Sequence, residues 1–193
     1  MDKTLLILGL LRGGPLYGYR LHQIIRAHGE LYAFLKKANL YYLLDRLAAD
    51  GYLSMQVEPG ARGSRRERVV YTLTEQGQAR FDTLLRSTLR TYEQPHTGIT
   101  TAVVFLAHFP PTEAIALLEE RRAVVVAHRA QVVAELGSRD SRGLLASIAA
   151  DHLLSMIDTE RDWLDRSLAR LRDTDWATST DRVRHAAPEP DTD

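Results

Sequence analysis

Between residues 3 and 50, hydrophobic residues recur at helical spacing. The pattern predicts short helices over residues 3–12, 16–28 and 36–50, broken at Gly13-Gly14-Pro15 and after His28. The apolar face of the last helix consists of leucines, Leu40, Leu43, Leu44 and Leu47. Gly51 follows at the position where a left-handed residue commonly ends a helix.

From residue 52 to residue 73 the pattern changes to alternation. Residues 52–58 and 68–73 each carry one apolar face, made by Leu53, Met55 and Val57 in the first and by Val69, Tyr71 and Leu73 in the second. Alternation of this kind predicts half-buried strands. The two strands would form a hairpin with a long tip that is rich in arginine.

The rest of the chain has longer helical patterns. Thr74 suits the N-cap of a helix that extends to Tyr92, an apolar segment follows at 101–109, and two long helices are predicted from Thr112 to about Leu136 and from Ser141 to about Arg172. The apolar band of the last helix is wide enough to cover more than one partner element. Residues 173–193 are acidic and polar, so we expect a disordered tail.

The even charge balance hides an asymmetry. The chain has 25 basic and 25 acidic residues, and a cut after Tyr92 leaves 14 basic and 8 acidic residues before it, hence 11 and 17 after it. A first part at +6 and a second at −6 suggest that only the first meets a polyanion. The absence of cysteine favours a reducing compartment, and the apolar run at 5–11 is too short to span a membrane, so we expect a cytoplasmic protein.

Three short helices, a glycine stop and then a hairpin are the element order of a winged helix-turn-helix. In that fold the third helix enters the major groove of DNA, and the hairpin, called the wing, contacts the backbone or the minor groove. The sequence therefore predicts a mostly α fold with a small two-stranded β wing and a C-terminal helical region.

Both predicted DNA-facing elements are basic. With its leucines buried, the third helix would expose Lys36, Lys37, Asn39, Tyr42 and Arg46, with Tyr41 at the edge, where it would reach a phosphate. The wing would carry Arg62, Arg65, Arg66 and Arg68. Such side chains suit phosphates and base edges. A charged helix face is commonly only a solvated surface, and one of the arginines could simply pair with Glu58 or Glu67. Two basic surfaces on consecutive elements favour nucleic-acid binding.

Three segments of the chain resemble the PadR-like transcriptional regulators. They are LGLL with GGPLYGYRL (13–21), NLYYLLDRLAADGYL (39–53) and RRERVVYTLTEQG (65–77), and the resemblance extends from Leu8 to Gly77. One departure stands at the start of the third helix, where family members often have a small capping residue and a glycine. This chain has Lys36, Lys37 and Ala38 before Asn39, and a missing cap costs about 1 kcal/mol.

The resemblance implies a homodimeric repressor that binds a near-palindromic operator. It implies that the C-terminal helices form the dimer, which would engage their apolar residues Leu118, Val125, Val132, Leu153, Ile157, Leu164 and Leu168. It also implies release from DNA by an effector, often a small aromatic or drug-like molecule. Trp163 is a candidate contact to that effector or to the dimer partner, although large aromatics at helical spacing more often belong to a core.

Other chemistries find no support in the sequence. We see no nucleophile with a base, no paired carboxylates and no phosphate-binding loop, so no enzyme is predicted. The histidines form no metal-binding pair, and His152 on its apolar stripe is predicted to be a core or interface residue. No metal or cofactor is expected.

The prediction has three parts: a winged helix-turn-helix DNA-binding domain over 1–92, a helical dimerisation and effector region over 93–172, and the tail over 173–193. The predicted function is that of a sequence-specific transcriptional regulator, and a repressor is favoured over an activator. The alternative is an adaptor whose winged helix binds a protein instead of DNA. A mobility shift on the intergenic DNA beside its own gene would separate the two.

Overall fold

A computed structural model describes residues 3–28, 32, 35, 37–59, 68–94, 97–137, 143–174 and 176. The chain divides into two compact units, Met1–Gln94 and Pro95–Asp193. The predicted tail lies almost wholly outside the described residues. None of the helices in the described part is long and apolar enough to cross a membrane.

The first unit contains four helices and three strands. They are α1 (Lys3–Leu11), β1 (Leu16–Tyr17), α2 (Gly18–Ala27), α3 (Lys37–Ala49), β2 (Leu53–Glu58), β3 (Arg68–Leu73) and α4 (Glu75–Arg90). The predicted leucine stripe is confirmed, since Leu40, Leu44 and Leu47 are buried against side chains of α1, α2 and the sheet. Burying each such side chain contributes about 1.5–3 kcal/mol.

The sheet has three strands where the sequence predicted two. Its order is β1-β3-β2, all antiparallel, and the extra strand pairs Leu16 with Tyr71 and Tyr17 with Val70. The helical pattern placed Leu16 and Tyr17 inside α2, but α2 begins only at Gly18. A strand of two residues is too short to show an alternation of its own.

The strand predicted over residues 52–58 is confirmed from Leu53 to Glu58, but the prediction that one of its faces is buried is wrong beyond Leu53. Leu53 is buried, whereas the side chains of Met55 and Val57 on the same face are 51% and 61% exposed. The two strands of the hairpin pair in register from Leu53 opposite Leu73 to Glu58 opposite Arg68. The outer part of the hairpin therefore extends beyond the core that covers its inner end.

The start of α4 is fixed by a tight set of contacts. The Thr74 hydroxyl accepts a hydrogen bond from the Gly77 amide (3.0 Å), which confirms the predicted N-cap. The same hydroxyl lies 2.8 Å from the Gly51 carbonyl oxygen and can donate to it. Gly51 ends α3 with a φ of 77°, the left-handed conformation that its predicted role requires.

The second unit is a pair of long helices with two shorter elements. They are α5 (Gly98–Val104), a 3-10 turn (Leu106–His108), α6 (Pro111–Gly137) and α7 (Leu144–Asp173). Ion pairs show that α6 and α7 are antiparallel, because Glu119 meets Arg172 at one end and Arg129 meets Asp158 towards the other. Leu118, Leu164 and Leu168 form the core between them.

Candidate nucleic-acid interface

The exposed face of α3 carries the side chains predicted to contact DNA. Lys37, Asn39, Tyr42 and Arg46 are all exposed, and the side chain of Tyr42 is 66% exposed. They are presented outward because the leucines on the opposite face are fixed in the core. Lys36 lies outside the described residues.

The positive charges of Arg46 and Lys37 lie in different surroundings. The Arg46 guanidinium is 3.9 Å from the Asp50 carboxylate, an exposed pair one helical turn apart. Such pairs are weak, so Arg46 can exchange Asp50 for a phosphate. Lys37 lies in the first turn of α3, which contains no acidic residue. The helix dipole and this lysine together place positive charge at that end of α3.

Tyr41 is partly buried and packs against Gly18, the first residue of α2. A Cβ at Gly18 would come within 2.9 Å of Tyr41 Cε1 and 3.3 Å of Tyr71 Cε2. This position therefore needs glycine because two rings approach its backbone closely. The ring of Tyr41 thus helps hold α3 against α2 and β3. The predicted phosphate contact of Tyr41 stays a prediction.

The charges of Arg26 on α2 and Lys37 on α3 both act on His22. Burial, and secondarily the nearby charges of Lys37 and Arg26, lower the pKa of His22. The charged form of His22 is thus disfavoured first by burial and then by these two positive charges. Arg26 is exposed on α2, and its helical spacing gives no sign of a functional role.

The described part of the wing is its root, where β2 ends and β3 begins. Arg62, Arg65 and Arg66 lie outside the described residues, so their predicted roles stay predictions. Arg68 is the first residue of β3 and is half-buried, with its guanidinium carbon 5.9 Å from the centre of the Tyr17 ring. Tyr17 donates its hydroxyl hydrogen to Glu58 Oε2 at 2.8 Å. Hydrogen bonding to Glu58 and its negative charge raise the pKa of Tyr17.

No role was predicted for Tyr17 from the sequence, because its helical spacing placed it in the first turn of the predicted helix over 16–28. Its ring also stacks on that of Tyr19, with the ring centres 5.6 Å apart. Arg68 is directly opposite Glu58 in the ladder, so it is the described wing arginine that lies near this carboxylate. Tyr17 contacts both residues.

The residues predicted to form the dimer lie mostly inside a single chain. Leu118, Val132, Leu164 and Leu168 are buried within the second unit, so a partner could reach them only if the unit opened. Val125, Leu153 and Ile157 are half-buried. Within the described part of the second unit, the most exposed apolar side chains are others, namely Leu144, Leu145, Ile148 and Met156 of α7 and Val124 of α6.

Trp163 is half-buried and packs against the core between α6 and α7. Its role in binding an effector stays a prediction. His152, expected in a core or interface, is exposed in the single chain. Among the described residues, no group of three histidine or acidic side chains could hold a metal ion.

Known proteins resemble this chain in sequence and in fold. Residues 7–83 match the transcriptional regulator PadR-like family. This part of the chain is therefore similar to a PadR-like domain. The match begins in α1 and ends in α4, so it includes α3, the sheet and the contacts at Gly18, Gly51 and Gly77. PadR-like proteins are regulators of transcription, not enzymes.

Solved structures share the fold over most of the chain. Bacillus subtilis PadR in complex with operator DNA superimposes with a TM-score of 0.70 at 21% identity, over 87% of this chain and 98% of that one. The same protein in complex with p-coumaric acid gives 0.66 at 20% identity, over 90% and 99%. The virulence activator AphA of Vibrio cholerae gives 0.63 at 18% identity, over 89% and 99%. No curated protein matches the sequence. At these identities the likeness shows a shared fold outside the PadR-like domain as well as within it.

Proposed function

We propose that this protein is a homodimeric, sequence-specific DNA-binding repressor of transcription. The observation that carries the proposal is the exposed face of α3, where Lys37, Asn39, Tyr42 and Arg46 stand together on the surface of a PadR-like domain. Because its target would be chromosomal DNA, we expect the protein in the cytoplasm.

The side chains on α3 fit two different tasks. Asn39 can form two hydrogen bonds with an adenine edge, whereas Lys37 and Arg46 suit phosphates or guanine. Loss of a base contact changes sequence preference, and loss of a phosphate contact weakens binding to all sequences and lowers the salt dependence. Each phosphate neutralised adds about 0.9 to the slope of log affinity against log salt.

The test is DNA binding by the full chain, measured by mobility shift at several salt concentrations. We expect wild type to bind the intergenic DNA beside its own gene with a steep salt slope. Asn39→Ala should lower the preference for the operator over unrelated DNA, and Gln78→Ala, on the exposed surface of α4, is the matched control. If wild type shifted no DNA even at low salt, the protein-binding adaptor would replace the regulator.

Homodimerisation is supported by the apolar residues that one chain leaves uncovered. Leu145 is 80% exposed and Ile148 56% exposed, both near the start of α7. Covering a leucine or isoleucine side chain fully contributes about 1.5–3 kcal/mol. Because both protomers of a dimer would cover these residues, burial of this part of α7 would stabilise the dimer by several kcal/mol. We propose that this face contacts the second copy.

A charge placed on that face tests the dimer. Leu145→Asp with Ile148→Asp should give a monomer in sedimentation experiments at concentrations where wild type is a dimer. Gln131→Glu, at an exposed polar position of α6, should leave the dimer intact. A double variant that sedimented like wild type would place the interface elsewhere.

Release by a small aromatic effector is supported by the neighbour that is solved with p-coumaric acid. We propose that the second unit binds such a molecule and that Trp163 contacts it. Trp176 would obscure the signal, because it is the other tryptophan in the chain. In a Trp176→Phe background, p-coumaric acid should therefore change the fluorescence of Trp163 in a saturable manner, and benzoic acid serves as the control. A linear, unsaturable change with both compounds would dismiss this role.

The direction of regulation is testable separately. The fold is shared with an activator, AphA of Vibrio cholerae, so the fold itself is compatible with either sign. We expect repression, which means that a reporter behind the operator should rise when Asn39→Ala replaces wild type. A fall would indicate activation.

A further inference from the structure

Three side chains connect the beginning of α2 to the root of the wing. The hydroxyl of Tyr17 donates to Glu58 Oε2 at 2.8 Å, and the Arg68 guanidinium lies over the Tyr17 ring at 5.9 Å. Glu58 ends β2 and Arg68 begins β3, directly opposite it. We call Tyr17, Glu58 and Arg68 the wing latch.

The wing latch lies at a point that also holds α3. Tyr17 belongs to β1 and is paired with Val70 of β3, and the next residue, Gly18, is in close contact with Tyr41 of α3. Position 17 is thus tied to the wing, and position 18 to α3. The orientation of the wing root relative to α3 is therefore set through two adjacent residues.

In the described part of the outer hairpin, the β2 strand has few buried contacts, whereas Val69 and Val70 of β3 pack inward. Beyond Leu53, every residue of β2 is exposed, and β1 accompanies β3 only at Val70 and Tyr71. Segments with few buried contacts open and bend most easily. The bond from Tyr17 reaches the last residue of β2, which is the position in the ladder farthest from the core.

The arrangement also explains what Arg68 does. Its guanidinium packs over the ring of Tyr17, and Glu58 supplies a negative charge nearby. A cation over an aromatic face is attracted by the ring electrons. Arg68 is thus half-buried and engaged within the protein, whereas Lys37 and Arg46 on α3 are exposed.

We propose that Tyr17, Glu58 and Arg68 are positioning residues, which hold the wing root in the direction that lets the wing and α3 engage DNA together. The inference rests on the proposed DNA-binding function. It changes the role of Arg68 from a DNA contact to a support for the wing.

Glu58 provides the decisive test, because the wing latch and simple electrostatics predict opposite signs. A carboxylate beside a basic DNA-binding surface repels phosphates, so its removal should tighten binding if it does nothing else. The wing latch predicts that Glu58→Ala weakens operator binding, by about five- to tenfold. Glu58→Gln keeps an oxygen that can accept from Tyr17, and it should bind at least as tightly as wild type.

Tyr17→Phe removes the hydroxyl that donates the hydrogen bond to Glu58, and it keeps the ring that packs against Arg68. It should weaken operator binding by a similar factor, and the double variant with Glu58→Ala should bind no worse than either single variant. In a background with Arg65→Ala and Arg66→Ala, where the predicted wing contacts are gone, the effect of Tyr17→Phe should fall below about twofold. Circular dichroism melts check that each variant is folded. The exposed position of Glu58 allows its variants to fold even if Tyr17→Phe does not.

The outcomes separate this inference from the proposed function. If wild type binds no DNA, the proposed function fails. If wild type binds DNA and Glu58→Ala binds as tightly or more tightly, the wing latch is overturned while the function stands. An effect of Tyr17→Phe that persists unchanged without the wing arginines would also overturn it.

Discussion

Replacement of Gly77 by alanine tests the packing that joins the wing to the helix after it. A Cβ at this position would lie 2.1 Å from the carbonyl oxygen of Tyr52 and 2.8 Å from Leu73 Cδ1. The first contact is with backbone, so no side chain can rotate to relieve it. A carbon normally stays about 3.3 Å from such an oxygen, hence one of the two backbones must move by about 1 Å.

The cost can be worked from what that movement disturbs. The Tyr52 oxygen accepts a hydrogen bond from the Thr74 amide (3.1 Å), and it shares the one hydrogen of the Thr74 hydroxyl (3.0 Å) with the Gly51 oxygen (2.8 Å). Loss of the amide bond, at about 0.5–1.5 kcal/mol, and weakening of the shared hydroxyl bond, with overpacking at about 1–3 kcal/mol, outweigh the 0.5–1 kcal/mol or so that alanine gains in a helix. We expect a net loss of about 2–4 kcal/mol in the free energy of unfolding of the first unit.

The distribution of aromatic residues supplies the assay. All 8 tyrosines precede residue 95, and both tryptophans follow it. In urea, the near-ultraviolet dichroism of tyrosine therefore follows the first unit, and tryptophan fluorescence follows the second. Gly77→Ala should lower only the tyrosine midpoint, and Gln78→Ala, one residue along on the exposed surface, should stay within about 0.5 kcal/mol of wild type. A loss below about 1 kcal/mol for Gly77→Ala would refute the packing described around Thr74.

Three further results are expected. Gly51→Ala should cost about 1–2 kcal/mol in the free energy of unfolding, because Gly51 has a φ of 77°; Gly51→Asn should cost less, and equal losses in the tyrosine midpoint would contradict the strain argument. Hydrogen bonds from Arg129 and Arg122, the largest cause in each case, lower the pKa values of Asp158 and Asp165. Their contribution to stability is therefore present above the ordinary aspartate pKa of about 4, and it is lost as the pH falls through the lower pKa values of the folded protein. The tryptophan midpoint should decline below about pH 4, more steeply in wild type than in Asp158→Asn with Asp165→Asn; identical declines would contradict it. Arg65→Ala with Arg66→Ala should weaken binding to all DNA alike and reduce the salt slope by about 1–2 per subunit; full affinity with an unchanged slope would remove the wing from the interface.

The α3 surface could be predicted from sequence because burial at helical spacing settles it. Once Leu40, Leu44 and Leu47 face the core, the positions of Asn39 and Arg46 follow from the geometry of a helix. The stop at Gly51 and the cap at Thr74 were equally accessible, since each depends on local conformation. These features needed no knowledge of distant contacts.

The hairpin and the dimer show what local patterns leave open. The alternation at Met55 and Val57 indicates a strand with one apolar face, but it does not say whether another element covers that face. The apolar lines on α6 and α7 are satisfied by each other, through residues such as Leu118 and Leu164. A periodic pattern cannot distinguish a partner in the same chain from one in a second chain. The wing latch joins Tyr17 to Glu58 across 41 positions, so only the fold brings them together.

Selection of binding sites from a random pool of duplex DNA tests the central claim most directly. The full chain should enrich a nearly palindromic sequence whose half-sites lie about 34–36 Å apart, one helical turn, or a multiple of this spacing. Repeating the selection with Asn39→Ala should alter or remove a conserved base pair in each half-site. Enrichment of no common sequence, with equal retention of all DNA at every salt concentration, would contradict a sequence-specific regulator.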